Sequence, residues 1–144
     1  GLFDLNTFTS DEAMLPTRGG DWYDGGLWQN LFLHNWGTKN DLVKGSWDYL
    51  YKVIAQANQS LDKLKEILEN NPENISVPKY ISEVRAFRAM YYYNLLDMFA
   101  RVQLVTSSSV AMVDVVLSDR SAVFNFVRTE FEESVEDLSD AHSN

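Results

Sequence analysis

Cysteine is absent from this chain of 144 residues. That excludes disulfides, cysteine metal sites and cysteine nucleophiles together, and leaves the redox compartment open. Proline (3) and glycine (7) are few, which excludes a collagen-like or linker-like chain. No apolar run approaches the ~18 residues of a membrane span. Basic residues are in the minority: 12 Lys and Arg against 21 Asp and Glu leave a formal charge of −9. Such a chain repels phosphate backbones, and its most basic stretch, Lys63-Leu64-Lys65, is too small to reverse that, so nucleic acid is not an expected partner. What is there is ordinary for a folded protein, with 45% apolar and 23% charged residues, and the length fits one domain. The opening, Gly1-Leu2-Phe3-Asp4, has neither an initiator Met nor a signal-peptide pattern, and the chain reads as a piece of something longer.

Two unlike parts are expected. Residues 1–45 lack periodicity and hold Pro16, Gly19-Gly20, Gly25-Gly26, Gly37 and Gly45, together with Trp22, Trp28 and Trp36. A loop this long is usually functional or docked on a scaffold. Short turns are expected within it, one starting at Thr9-Ser10-Asp11-Glu12 and one over Leu27 to Leu33.

Residues 46–144 form the helical part. Trp47, Leu50, Tyr51, Ile54, Ala57, Leu61, Leu64, Ile67 and Leu68 make a one-sided stripe, with Ser46 as its N-cap and Asn70-Asn71-Pro72 as its stop. A second helix starts near Pro78, with the stripe Ile81, Val84, Phe87, Tyr91, Leu95 and Met98, and ends near Phe99-Ala100. Residues 101–117 fit a short hairpin or a packed loop equally. A third helix, capped by Ser118 or Asp119, carries Phe124, Val127, Phe131, Val135 and Leu138 on one face and Glu130, Glu132, Glu133, Glu136 and Asp137 on the other. The fold class is therefore all-α, with tetratricopeptide-like helical hairpins and a long irregular N-terminal loop region; Trp47-x-x-Leu50-Tyr51 echoes the start of such a repeat.

Catalysis has little support. The two histidines, His34 and His142, show no metal-ligand spacing and are read as loop or surface residues. The acid pairs Asp11-Glu12, Asp21 with Asp24, and Glu132-Glu133 do not face one another across a cleft as glycoside cleavage requires. Neither a calcium loop nor a phosphate loop is present. No catalytic residue, metal or cofactor is expected. Asn58-Gln59-Ser60 matches the glycosylation pattern, but Asn58 sits on the apolar side of a helix and is expected to bond across to a neighbour. Arg85 and Arg88, within an apolar helix, are expected to pair with Glu83 or Asp97 or to hold the preceding loop.

The loop aromatics carry the functional signal. Indole faces receive the C–H faces of sugar rings, and Asp, Asn and Arg side chains satisfy the hydroxyls. Trp36 is the first choice of platform, then Trp28 and Trp22, with Asp11, Arg18 and Asn40 as polar contacts. The alternative is a helical-repeat protein–protein interaction module with no sugar binding, its indoles packed against the helices.

The segment Glu83-Val84-Arg85-Ala86-Phe87-Arg88-Ala89-Met90-Tyr91-Tyr92-Tyr93, followed by Phe99-Ala100-Arg101-Val102-Gln103-Leu104, resembles the SusD/RagB family of surface glycan-binding lipoproteins of Bacteroidetes. Trp47-x-x-x-Tyr51-x-x-Ile54-x-x-Ala57-Asn58, Thr9-Ser10-Asp11-Glu12 and Arg18-Gly19-Gly20-Asp21-Trp22 agree with it. Ala100 stands where the family has Gly and Gln103 where it has Pro; a Gly there would permit a positive φ after the helix. The resemblance implies the N-terminal portion of a longer protein, anchored by lipid at the outer-membrane cell surface through a part outside this chain. It implies non-catalytic capture of oligosaccharides and their delivery to a SusC-like TonB-dependent transporter, with loops making the ligand contacts and helices serving as scaffold.

Overall fold

The computed structural model of the chain describes residues 1–138. His142, and the end of the polar tail, lie outside the described residues. Five helices follow in order: α1 (Leu2–Phe8), α2 (Leu27–Phe32), α3 (Asp41–Asn70), α4 (Val77–Phe99) and α5 (Arg120–Val135). Two short strands, β1 (Val102–Gln103) and β2 (Leu117–Ser118), pair antiparallel, with Val102 opposite Ser118 and Gln103 opposite Leu117. The chain divides into two compact units, Gly1–Tyr49 and Leu50–Asn144, and the division falls inside α3. No helix among the described residues is long and apolar enough to cross a membrane.

The N-terminal unit is less irregular than its sequence implies. Leu2 to Phe8 form a helix that the breaker-rich composition concealed, and Leu5 is its buried residue. Thr9, expected to start a turn, instead closes this helix: its N–H and its hydroxyl both donate to the Leu5 carbonyl, at 3.1 and 2.6 Å. Ser10 donates its hydroxyl to the Thr7 carbonyl (2.9 Å), satisfying a second exposed helix-end acceptor. The turn expected over Leu27 to Leu33 is α2. Helix α3 begins six residues earlier than the stripe alone indicates, because Asn40 is the capping side chain: its Oδ1 accepts from the N–H of Leu42 (3.0 Å) and Val43 (3.2 Å). Ser46 is buried within the helix rather than capping it.

In the second unit the α3 stripe is as expected, with Leu50, Ile54, Ala57 and Leu61 buried. The faces of α4 and α5 are turned away from their apolar stripes. Phe87 is 48% exposed while Arg88, Ala89, Tyr92, Leu95 and Leu96 enter the core. In α5, Phe124 and Val135 are exposed, and Val123, Val127, Glu130 and Ser134 are buried. The cause is a polar cluster. Arg88 donates from Nη2 to Glu130 Oε2 (2.6 Å), and from Nη1 to Asn58 Oδ1 (2.7 Å) and the Thr106 carbonyl (2.9 Å). Arg85 donates to Glu130 Oε1 (2.8 Å) and also to Glu133. Two arginines, two acids and the Asn58 amide thus tie α3, α4, α5 and the connecting loop together. Their partners are Glu130 and Glu133, not Glu83 or Asp97, and the loop held is the following one. Glu130, assigned to the solvated acidic face of the last helix, is a core residue because it neutralises a buried guanidinium. Asn58 does bond across: its Nδ2 donates to the Val105 carbonyl (2.8 Å).

The segment after α4 resolves both open readings of residues 101–117. Its ends pair as β1 and β2, and between them runs a loop with a 3₁₀ turn at Met112–Asp114. Two phenols hold its first residues. Tyr51 accepts from the Gln103 N–H (2.7 Å) and donates to its carbonyl (2.9 Å). Tyr92 does the same at Val105, at 2.8 Å each way. Asp62 anchors the loop further on by accepting from the Ser108 N–H (2.8 Å) and from the Ser107 and Ser108 hydroxyls (3.2 and 2.6 Å). The two Ser108 bonds hold its carboxyl below the ordinary range.

Ala100 ends α4 at φ +61°, ψ −56°, and the Arg101 N–H reaches back to the Phe99 carbonyl at 2.6 Å. That is a γ-turn with positive φ at its centre, disfavoured by a β-carbon. Ala100→Gly is expected to raise stability by about 1 kcal/mol, the relief of that clash less the added freedom of the unfolded chain. Urea unfolding of the two forms measures it.

Candidate functional site

The aromatic loop residues of the N-terminal unit are held in unusual backbone. Arg18 and Asp21 exchange both backbone hydrogen bonds (3.1 and 3.0 Å) across Gly19-Gly20, with Gly19 at φ +62°. This tight turn delivers Trp22 at φ +60°, followed by Asp24 at φ +41°, Gly25 at +64° and Gly26 at +83°. A bulky residue in this region is disfavoured by roughly 1–2 kcal/mol. Such conformations persist only where surrounding contacts impose them, and they gather at ligand-contacting sites.

Those contacts are visible. Trp28, on α2, donates its indole N–H to Asp24 Oδ2 at 2.7 Å. Its ring meets Phe8 edge-on at 5.1 Å and Trp22 edge-on at 6.2 Å. Gln29 also donates to the Thr17 hydroxyl, fixing the approach to the turn. One residue after Phe8, the Thr9 carbonyl accepts from His34, whose ring packs edge-on against Trp36 at 5.3 Å. The C-terminal end of α1 therefore holds both aromatic groups: Phe8 touches the Trp22–Trp28 pair, and Thr9 holds the His34–Trp36 pair.

Of the expected platforms, Trp22 is 52% and Trp36 40% exposed, while Trp28 is half-buried with its N–H already used. Trp28 is thus placed as a support for Trp22. Tyr23, 53% exposed beside Trp22, joins them. Asp11 is exposed in the turn after α1, and Arg18 is exposed in the turn before Trp22. Asn40 stands apart in role, since its carbonyl oxygen is committed to capping α3 and only its amide remains for a ligand. Sequence reasoning misses Phe8 and Thr9, which end a helix that the breaker-rich composition hides.

A concavity lies in the other unit, a cleft of about 500 Å³ between α3 and the 103–115 segment, walled by Ile54, Val105, Val110, Met112 and Val115. Its one ring, Tyr51, has its hydroxyl bound to Gln103, and burial pushes that phenol up to about 12. The cleft presents aliphatic walls, not the flat exposed rings that favour sugars. Among the described residues, no group of three or more His, Asp or Glu is placed to hold a metal ion.

Comparison with known proteins places this geometry in a family context. The profile of a SusD-like family, described as "Starch-binding associating with outer membrane", matches residues 5–143. SusD-like protein P38 of Formosa agariphila is 25% identical over 114 residues, which cover 77% of this chain and 22% of that protein. A solved structure of a laminarin-binding SusD-like protein superposes with a TM-score of 0.70 at 24% identity, covering 99% of this chain and 34% of the other. At that identity the superposition speaks for the fold. The chain spans between about a fifth and a third of the length of these relatives.

Proposed function

Because the chain belongs to the SusD-like family, whose profile it matches over residues 5–143, we propose that it forms part of a non-catalytic protein that captures oligosaccharides at the bacterial outer-membrane surface. The ligand rests on Trp36 and Trp22, with Tyr23 beside them and Asp11, Arg18 and the Asn40 amide at the hydroxyls. The captured glycan passes to a SusC-like TonB-dependent transporter, and the helices α3 to α5 serve as scaffold. A lipid anchor outside this chain holds the protein at the membrane. The two parts expected from sequence keep these roles, residues 1–45 contacting ligand and residues 46–144 supporting them.

The observation that carries this reading is the exposure of the Trp22 and Trp36 indoles, Trp22 on a backbone of positive φ. A purely protein-binding helical module would have its indoles packed away, and the exposure of Trp22 and Trp36 supports the sugar reading over it. Starch and laminarin, the glucans associated with the family and with one structural relative, are the first ligands to try.

Calorimetry of the intact protein with oligosaccharides of both glucans is the test. Trp36→Ala is expected to weaken binding about tenfold, the value of one stacked ring. Circular dichroism should be unchanged, and no reducing ends should be released. Unaltered affinity in Trp36→Ala overturns the assignment of that platform.

A further inference from the structure

We propose that His34 is a positioning residue, a clamp that fixes the Trp36 indole against the end of α1. The inference deepens the proposed sugar site and rests on that reading only for its effect on affinity.

His34 carries a positive φ of +54°. It is the left-handed residue that closes α2: its backbone N–H donates to the Leu31 carbonyl (3.1 Å) and the Asn35 N–H to the Asn30 carbonyl (2.8 Å). The helix end so formed fixes where the side chain leaves the backbone, and the ring Nε2 lies 2.7 Å from the Thr9 carbonyl. A carbonyl can only accept, so Nε2 carries the proton whatever the state of Nδ1. Thr9 is itself fixed, since its N–H and hydroxyl both donate to Leu5. The imidazole therefore projects from a helix end, and Trp36 packs edge-on against it with the rings at 82°. Trp36 follows His34 by two residues and precedes Gly37, in a stretch with no regular structure before α3. The imidazole is the ring against which the indole packs there. A free His at the surface would not bond a carbonyl 25 residues away.

The test uses the intact protein labelled with 5-fluorotryptophan, to which this chain contributes four indoles; the Trp36 ¹⁹F signal is assigned by its loss in Trp36→Phe. His34→Phe keeps a ring and removes the donor. It is expected to shift and broaden the Trp36 signal alone and to weaken laminarin-oligosaccharide binding about five- to tenfold. His34→Gln places an amide donor near the former Nε2, and is expected to return the Trp36 signal part of the way. In the Trp36→Ala background, His34→Phe should cost no further affinity. A Trp36 signal unmoved in His34→Phe overturns the clamp, whatever the affinity. A moved signal with unchanged affinity upholds the clamp and overturns Trp36 as the sugar platform. Should His34→Phe disturb the other indole signals as well, His34→Gln decides: the clamp stands if the Trp36 signal alone is shifted, by less than in His34→Phe, and falls if Trp36 keeps its wild-type position or the other signals move with it.

Discussion

Glu130→Ala is expected to destabilise the Leu50–Asn144 unit by about 3–5 kcal/mol, the cost of breaking a buried ion pair from one side. Glu130 is 6% and Arg88 5% exposed, so the orphaned guanidinium would keep its charge in the core with only Asn58, the Thr106 carbonyl and the face of Phe126, 5.4 Å away, for company. Arg85 would lose the better of its two acids as well. Removing both charges should hurt less: Arg88→Leu with Glu130→Leu is expected to recover part of the loss, because a desolvated pair returns little net energy over apolar packing. Urea denaturation of the single and double variants measures both. A Glu130→Ala variant within 1 kcal/mol of the parent, by the ~1 kcal/mol scale of an average substitution, would show that water reaches the cluster.

Tyr92→Phe is expected to cost about 1 kcal/mol, because the part-buried Val105 N–H loses its acceptor on the fully buried Tyr92 ring while the Val105 carbonyl keeps Asn58. The same phenols set an alkaline limit. Burial raises Tyr51 to about 12 against 10.0 when free, opposed in part by its bond to the Gln103 backbone. Burial raises Tyr92 too. Between pH 10 and 12 the unfolded phenol has released a proton that the folded one retains, so the unfolded state binds fewer protons and stability falls as pH rises. Below pH 10 both states are neutral and the group contributes no slope. The loss from Tyr51 is on the order of 2 kcal/mol. Tyr51→Phe should start from lower stability but show a flatter decline above pH 10, measurable as Tm against pH.

Periodicity revealed the helices of the second unit, since α3 buries Leu50, Ile54, Ala57 and Leu61 of its stripe, though not Ile67, and α5 starts at the Asp119 cap, whose Oδ1 accepts from the Ala122 N–H (2.8 Å). It misjudged which faces of α4 and α5 turn inward, for one reason: hydrophobic scoring sends Arg88 and Glu130 to solvent, whereas their pairing carries both into the core. The start of α3 was displaced because Asn40 and Ser46 are both capping types, and the first apolar residue of the stripe, Trp47, favoured the nearer one. α1 was hidden in a segment read as breaker-rich. In the candidate site, Trp22 and Trp36 were legible as exposed aromatics among glycines. Their supports were not, because Phe8–Trp28 and Thr9–His34 join residues far apart in sequence with no spacing rule to connect them.

In the stretch from Val102 to Thr106, Val102 and Gln103 pair with β2, and the backbone of Gln103, Val105 and Thr106 is bonded by two phenols, an amide and a guanidinium. Unsatisfied strand margins are where foreign chains add on and aggregates nucleate. Here the exposed-strand hazard is removed by side chains from helices instead of by a further strand, so this stretch offers no template to a neighbouring molecule.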